Sequence, residues 1–257
     1  MGFLTEHVAE VRRDLDARPL DEAMLLERAR LQPTARNFVT ALRSGAPAVI
    51  AEVKQASPSA GEIRATDPAA QARAYADAGA AAVSVLTEPK HFHGSLADLR
   101  AVRREVDVPV LRKDFVVHPS QLIESRAEGA DAVLLIATSL SAAELAALLA
   151  VARDLGMEAL VEAFGREDLD RAVASGAEVI GVNARDLETL DVDEHGALEL
   201  LATIPEDRVA VFESGISTRE QVRRATEAGA SAVLVGTALM EADDPGEKLR
   251  ELIGAGV

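Results

Sequence analysis

Eight short apolar runs alternate with helix-like stretches along this chain, at a spacing of roughly 20 to 30 residues. The runs are Ala48 to Lys54, Ala82 to Thr87, Val110 to Phe115, Ala132 to Ile136, Glu158 to Glu162, Val179 to Asn183, Val209 to Glu213 and Ala232 to Gly236. They are apolar along their length rather than at every second residue, which predicts strands of a parallel sheet covered on both faces. Helices are expected between them. Asp67 as N-cap and Pro68 at the first helical position open one that runs to about Ala78. Others are predicted from Ser95 to Glu105, Ser120 to Glu128, Ser141 to Leu155, Arg166 to Ser175, Glu194 to Thr203, Thr218 to Ala228 and Pro245 to Ile253. Eight strand–helix units in 257 residues predict an α/β fold, a (β/α)8 TIM barrel. An open doubly wound sheet is the competitor. It would not place polar residues so regularly at strand C-termini, and no G-x-G-x-x-G follows the first strand. Residues 1 to about 46 carry Phe3, Leu4, Val8, Val11 and Leu15 at helical spacing. They are expected to be a helical extension packed on the barrel, because they are too few to bury a core alone. Residues 1–257 are therefore expected to form one domain.

Composition narrows the functions such a barrel can serve. A net charge of −16 argues against nucleic acid or a membrane surface as partner, since phosphate backbones are bound by clustered Lys and Arg. An anionic substrate must then meet a local positive site. The chain has no cysteine, which excludes disulfides, thiolate nucleophiles and cysteine-ligated metals. No apolar run reaches the roughly 18 residues that span a bilayer, and the first residues do not read as an export signal. A soluble cytoplasmic protein, monomeric or a weak homodimer, is the expectation.

The residues at the strand ends carry the chemistry in this fold. Only four lysines occur, and two of them, Lys54 and Lys113, end the first and third apolar runs, where a buried strand has no packing use for an ammonium group. Glu52 is two residues from Lys54, so both point to the same side of the pleat. Strand five ends in Glu162, strand six in Asn183 with Arg185 beyond it, and strand seven in Glu213-Ser214-Gly215. Two cations and two carboxylates (Lys54, Lys113, Glu52, Glu162) read as a general acid and a general base rather than as rim ion pairs of little consequence. Ser214-Gly215 and Gly236-Thr237 follow strands seven and eight, where such barrels bind phosphate, and glycine lets backbone N–H groups approach an anion closely. The competing view is that both glycines merely permit tight turns.

These motifs resemble the series found in indole-3-glycerol-phosphate synthases. The resemblance rests on Ile50-Ala51-Glu52-Val53-Lys54 with Ser57-Pro58-Ser59, Val85-Leu86-Thr87-Glu88, Phe92 with Gly94-Ser95, and Leu111-Arg112-Lys113-Asp114-Phe115. It continues through Val161-Glu162, Asn183 with Arg185-Asp186-Leu187, Glu213-Ser214-Gly215-Ile216 and Val235-Gly236-Thr237. It runs in order from about residue 36 to residue 240. What it implies is a phosphorylated small-molecule substrate, 1-(2-carboxyphenylamino)-1-deoxyribulose 5-phosphate, closed to an indole with loss of carbon dioxide and water. Lys113 would be the general acid, Glu162 the base for dehydration, and Lys54 the holder of anionic groups. Glu52 would orient the lysines and Asn183 would position a hydroxyl. Ser57 and Arg185 would fix the carboxylate and hydroxyls, and Pro58, Phe92, Phe115, Leu134 and Leu187 would form the slot for the aromatic ring. Ser214, Gly215, Gly236 and Thr237 would cradle the phosphate. No metal and no organic cofactor is implied.

Four positions depart from the family's usual pattern: Ala184, Phe164, Gln55-Ala56 and Phe212. None replaces a proposed proton-transfer group. Among other phosphate-binding barrels, a phosphoribosylanthranilate isomerase would use a Cys that this chain lacks, and a histidine-pathway isomerase would need aspartates where Glu52, Lys54 and Glu162 stand. A non-catalytic phosphate-binding barrel is the alternative from another class. The histidines, His7, His91, His93, His118 and His195, form no spaced metal motif.

Overall fold

A computed structural model of the chain describes residues 2–45, 47–57, 61–62 and 66–254. Eight strands follow one another around a closed barrel: β1 (Ala48–Val53), β2 (Ala82–Leu86), β3 (Val110–Lys113), β4 (Ala132–Ile136), β5 (Glu158–Ala163), β6 (Val179–Asn183), β7 (Val209–Glu213) and β8 (Ala232–Val235). Every neighbouring pair is parallel, and β8 returns to β1. Burial on both faces explains the unbroken apolar runs: β1, β2, β4 and β6 to β8 are buried at every residue. The register brings the polar strand ends level with one another. Lys113 lies opposite Leu86, Glu162 opposite Ile136, and Glu213 opposite Asn183.

Three helices, α1 (Phe3–Ala17), α2 (Glu22–Arg30) and α3 (Phe38–Arg43), precede β1. The others follow the strands in turn: α4 (Pro68–Asp77), α5 (Leu96–Glu105), α6 (Pro119–Ala127), α7 (Ala142–Asp154), α8 (Arg166–Ala174), α9 (Glu194–Leu201) and α10 (Arg219–Glu227). After β8 come α11 (Thr237–Met240) and α12 (Pro245–Ile253). Local chemistry sets the starts of several. Asp67 accepts from the Ala69 N–H at 3.0 Å and Ser95 from Asp98 at 3.1 Å, while Ser141 with Glu144 and Thr218 with Gln221 form reciprocal capping boxes. Two features are additional to the expected pattern. A small antiparallel ribbon pairs Ala56–Ser57 with Gly61–Glu62 after β1, and the single-turn α11 sits between β8 and its outer helix.

The N-terminal segment is fastened at both ends of the barrel. At the closed end, α3 buries Phe38 and Leu42 completely, and Glu158 accepts the Val39 N–H at 2.8 Å. Asp131, wholly buried, accepts the Arg36 N–H at 2.8 Å and the Val110 N–H at 2.9 Å, joining the segment to β3. Midway, Leu25 and Ala29 of α2 pack on Ile123 and Ala127 of α6, and Arg28 pairs with Glu128 at 2.7 Å. At the open end, the Phe3 and Leu4 N–H groups donate to the carbonyls of Glu188 and Leu187. This leaves α1 beside the strand C-termini.

Candidate active site

The strand C-termini surround a cavity of about 500 Å³. Glu52 of β1 sits between its two ammonium groups: Oε1 is 3.3 Å from Lys54 Nζ, and Oε2 is 3.7 Å from Lys113 Nζ. Lys54 extends the other way to Thr237, donating to its Oγ1 at 3.0 Å. Lys113 lies 3.9 Å from Glu162 Oε2. Glu162, at the end of β5, is buried beside that lysine. A single connected run of charge therefore crosses the barrel from the loop after β8 to β5.

Glu213 is a member of this group that strand-end reasoning did not select. It lines the cavity floor, is 1 % exposed, and neither carboxylate oxygen has a hydrogen-bond partner among the described residues. Burial pushes its carboxyl well above the usual carboxylate range, the neighbouring Glu162 pushes it further, and Lys113 only partly offsets this. Gly181 on β6 makes the room, since a Cβ there would collide with Glu213 Oε1. Lys113 shows the converse. Burial works against its charge, but Glu52, Glu162 and Glu213 outweigh that and hold the ammonium protonated beyond its ordinary range. The signal for Glu213 in the sequence was its place at a strand end beside Ser214-Gly215. Its environment depends on three strands and is not local.

The loops after β7 and β8 close one end of the cavity. Ser214 has φ 68° and Gly215 φ 79°, two successive left-handed residues, the first at a cost of about 1–2 kcal/mol for a residue with a Cβ. Both lie on the cavity wall with Gly236 and Thr237. Gly236 has no room for a side chain, because a Cβ would collide with Glu52 Oε1 and come within 3.2 Å of Lys54 Nζ. Asn183 uses its carbonyl oxygen to accept the Arg185 N–H at 3.0 Å, which leaves its NH2 group as the donor for the cavity. The Arg185 guanidinium is steadied by the Leu190 carbonyl at 2.8 Å.

Phe92 and Leu187 form an apolar wall, joined by Phe3 of α1, Leu86 and Leu234, which the sequence reading left out. Phe115 and Leu134 do not reach the cavity surface: Phe115 is buried behind Phe92 and Phe3, at ring-centroid distances of 6.3 and 6.2 Å, and Leu134 is buried in β4. Ser57 lies in the small ribbon after β1, and Pro58 lies outside the described residues. The four departures from the family pattern fall away from the charged run. Phe212 is fully buried, Phe164 is exposed, and Ala184 acts through its backbone, donating to the Glu213 carbonyl at 2.9 Å and accepting from Asp193 at 2.8 Å. Gln55 and Ala56 follow Lys54 at the start of the ribbon. His7, Glu88 and His91 converge beside the cavity, a grouping that spacing within one loop could not reveal.

The chain matches the family described as indole-3-glycerol phosphate synthase over residues 4–252. Curated relatives of that description agree over nearly their whole length. The protein from Micrococcus luteus is 50 % identical, over 97 % of this chain and 96 % of its own. The protein from Nocardioides sp. is 48 % identical over 99 % of each, and that from Mycolicibacterium smegmatis is 47 % identical over 96 % and 92 %. Solved structures share the barrel at much lower identity. A 3-hexulose-6-phosphate synthase superposes with a TM-score of 0.64 at 19 % identity, covering 82 % of this chain and all of its own. A thiamine phosphate pyrophosphorylase from Pyrococcus furiosus gives 0.62 at 16 %, covering 85 % and 97 %.

Proposed function

The chain belongs to the indole-3-glycerol phosphate synthase family, and from that premise we infer how its residues carry out the family's reaction. It is a carboxy-lyase of tryptophan biosynthesis, converting 1-(2-carboxyphenylamino)-1-deoxyribulose 5-phosphate to indole-3-glycerol phosphate, carbon dioxide and water. The substrate has an anion at each end and an aromatic ring. The cavity has complementary parts: Ser214, Gly215, Gly236 and Thr237 for the phosphate, and Phe92 and Leu187 with Phe3 for the ring. Arg185 and Asn183 stand ready for hydroxyl and carboxylate groups, with Ser57 at the ring's carboxylate and Pro58 in the ring slot. Phe115 and Leu134 support the ring slot from behind.

Ring closure begins when the aromatic carbon that bears the carboxylate attacks the C2 carbonyl. A proton from Lys113 neutralises the developing alkoxide. Lys113 suits this role because the carboxylates around it keep it charged and Glu52 and Glu162 hold it from two sides. Loss of carbon dioxide then restores aromaticity. The new hydroxyl leaves as water with a proton from an ammonium group, and Glu162 takes the proton whose loss completes the indole. Glu213, which burial and the neighbouring Glu162 hold protonated above the usual carboxylate range, does not compete for that proton. Lys54, reaching Thr237, ties the phosphate end to the charged run and holds the substrate's anionic groups.

The observation that carries this reading is the placement of Glu52 between two ammonium groups on the cavity wall. Lys113→Ala is expected to lower kcat by about 10² or more while changing ligand affinity far less. Single-turnover kinetics paired with binding of the product measures both. Undiminished turnover would remove Lys113 from the acid role.

A further inference from the structure

Three side chains that the reaction does not use meet beside the cavity. His7 comes from α1, Glu88 from just beyond β2, and His91 from the loop that follows. One ligand atom of each lies within 4.8 Å of the others. His7 Nε2 is 3.8 Å from Glu88 Oε1, and His91 Nδ1 is 3.6 Å from Glu88 Oε2. These separations, one to each oxygen of the carboxylate, are too long for hydrogen bonds, and they lie near the edge of about 3.5 Å of a tetrahedron whose centre is about 2.1 Å from each ligand.

Among the described residues, no hydrogen-bond partner satisfies three imidazole nitrogens of this group. His7 is 4 % exposed, and both of its ring nitrogens, together with His91 Nδ1, are buried without a hydrogen-bond partner. The next carboxylate, Glu10, stands 3.7 Å from His7 Nδ1 and is itself engaged by Lys90 at 2.6 Å. Ordinary packing of aromatic rings would not orphan three imidazole nitrogens around one carboxylate, because burying an unpaired donor or acceptor is costly. Glu88 is meanwhile held firmly. Its Oε1 accepts from Lys90 at 2.8 Å, and its Oε2 accepts the N–H groups of His91 and Phe92 at 2.7 and 3.1 Å. Oε1 keeps a lone pair free. Phe3 and Phe115 pack the outside of the group: His7 stacks on Phe3, Phe115 meets His7 edge-on at 4.5 Å, and Phe3 meets His91 edge-on at 5.0 Å.

We propose that His7, Glu88 and His91 form a site for one divalent transition cation of the zinc class, which ties α1 to the loop after β2. Two imidazole nitrogens and one carboxylate oxygen suit zinc or cobalt(II), whereas magnesium and calcium demand more oxygen ligands. Ligand atoms that lie within 4.8 Å of one another draw in to the tetrahedral edge as the ion binds. Glu88, already fixed by three backbone N–H groups, supplies the pre-oriented ligand, as carboxylates at metal sites do.

The test is titration of the full-length protein, stripped with a chelator and desalted, with cobalt(II) chloride while visible absorption is followed, then back-titration with zinc. The expected result is a set of cobalt bands that saturates at one ion per chain and is abolished by zinc. His91→Gln is expected to weaken the affinity by more than the roughly tenfold that loss of a supporting partner alone costs. His7→Gln should do the same, and His195→Gln, at an exposed pair with Glu199, should leave it unchanged. His91 is partly exposed on a loop, so its variant decides the matter even if the His7 variant folds poorly. Absence of bands, identical titrations for wild type and His91→Gln, or loss in His195→Gln alone would overturn the proposal.

Discussion

At the scale of single residues, the decisive property is charge held where packing alone would expel it. Lys113 and Glu213, both under the influence of Glu162, have pKa values displaced upward, the lysine by surrounding carboxylates and the glutamic acid by burial first. The linkage for Glu213 has a definite sign. The folded chain holds this proton to higher pH than the unfolded chain, so its contribution is complete below the ordinary carboxylate value of about 4.3 and is lost as pH rises through the folded value. Glu213→Gln removes that dependence. Unfolding in urea should show the variant's stability falling less steeply than the wild type's as pH rises above the ordinary carboxylate value of about 4.3, and parallel slopes would contradict the assignment. Turnover of the same variant should change less than about tenfold, because the amide is neutral like the protonated carboxyl it replaces. Lys54, Lys113, Glu52 and Glu162 were legible in the sequence because a charged residue ending an apolar run has few structural uses. Glu213 ended such a run as well, but its protonation depends on carboxylates from β1 and β5, which no local pattern relates. The same limit hid Phe3, which reaches the ring wall from a helix that reads only as amphipathic.

At the scale of elements, the two ends of the barrel separate stability from chemistry. Helix α3 is started by Asn37, whose side chain accepts the Thr40 N–H at 2.6 Å, at the end remote from the cavity. Asn37→Ala should cost about 1 kcal/mol in urea unfolding and leave kcat/KM within twofold, about the noise of such assays. A large loss of activity at unchanged stability would refute the separation. Gly236→Ala acts at the other end, where a Cβ would push into Glu52 and crowd Lys54. Its expected outcome is the reverse: KM rises about tenfold or more while the urea midpoint moves little, and an unchanged KM would contradict the placing of the phosphate there. The strands and most helix starts could be read directly, since continuous apolar runs, Asp67, Ser95, Ser141 and Thr218 each act within a few residues. The α6 start is different. It lies at Pro119, where His118 acts as the cap with Gln121 reciprocating, and an imidazole is not an expected cap. Helix α11 and the Ala56–Ser57 ribbon are too short to leave a periodic signal.

At the scale of the whole molecule, a chain of net charge −16 gathers Lys54, Lys113 and Arg185 around one cavity. This is the local positive site that an anionic substrate requires. The eightfold alternation of strands and helices was enough to predict the closed barrel, because a parallel sheet buried on both faces leaves unbroken apolar strands. Alternation alone said nothing of how the N-terminal segment runs. The buried carboxylate of Asp131 and the half-buried one of Glu158 fasten the segment around α3 at one end, and α1 crosses to the other. The central claim is that this cavity closes and decarboxylates an anthranilate ribulose phosphate. Its most direct measurement supplies the purified protein with that substrate and follows indole fluorescence alongside released carbon dioxide. The account predicts multiple turnovers yielding one carbon dioxide per indole formed. Substrate left unconverted by well-folded protein, or indole formed without matching carbon dioxide, would contradict it.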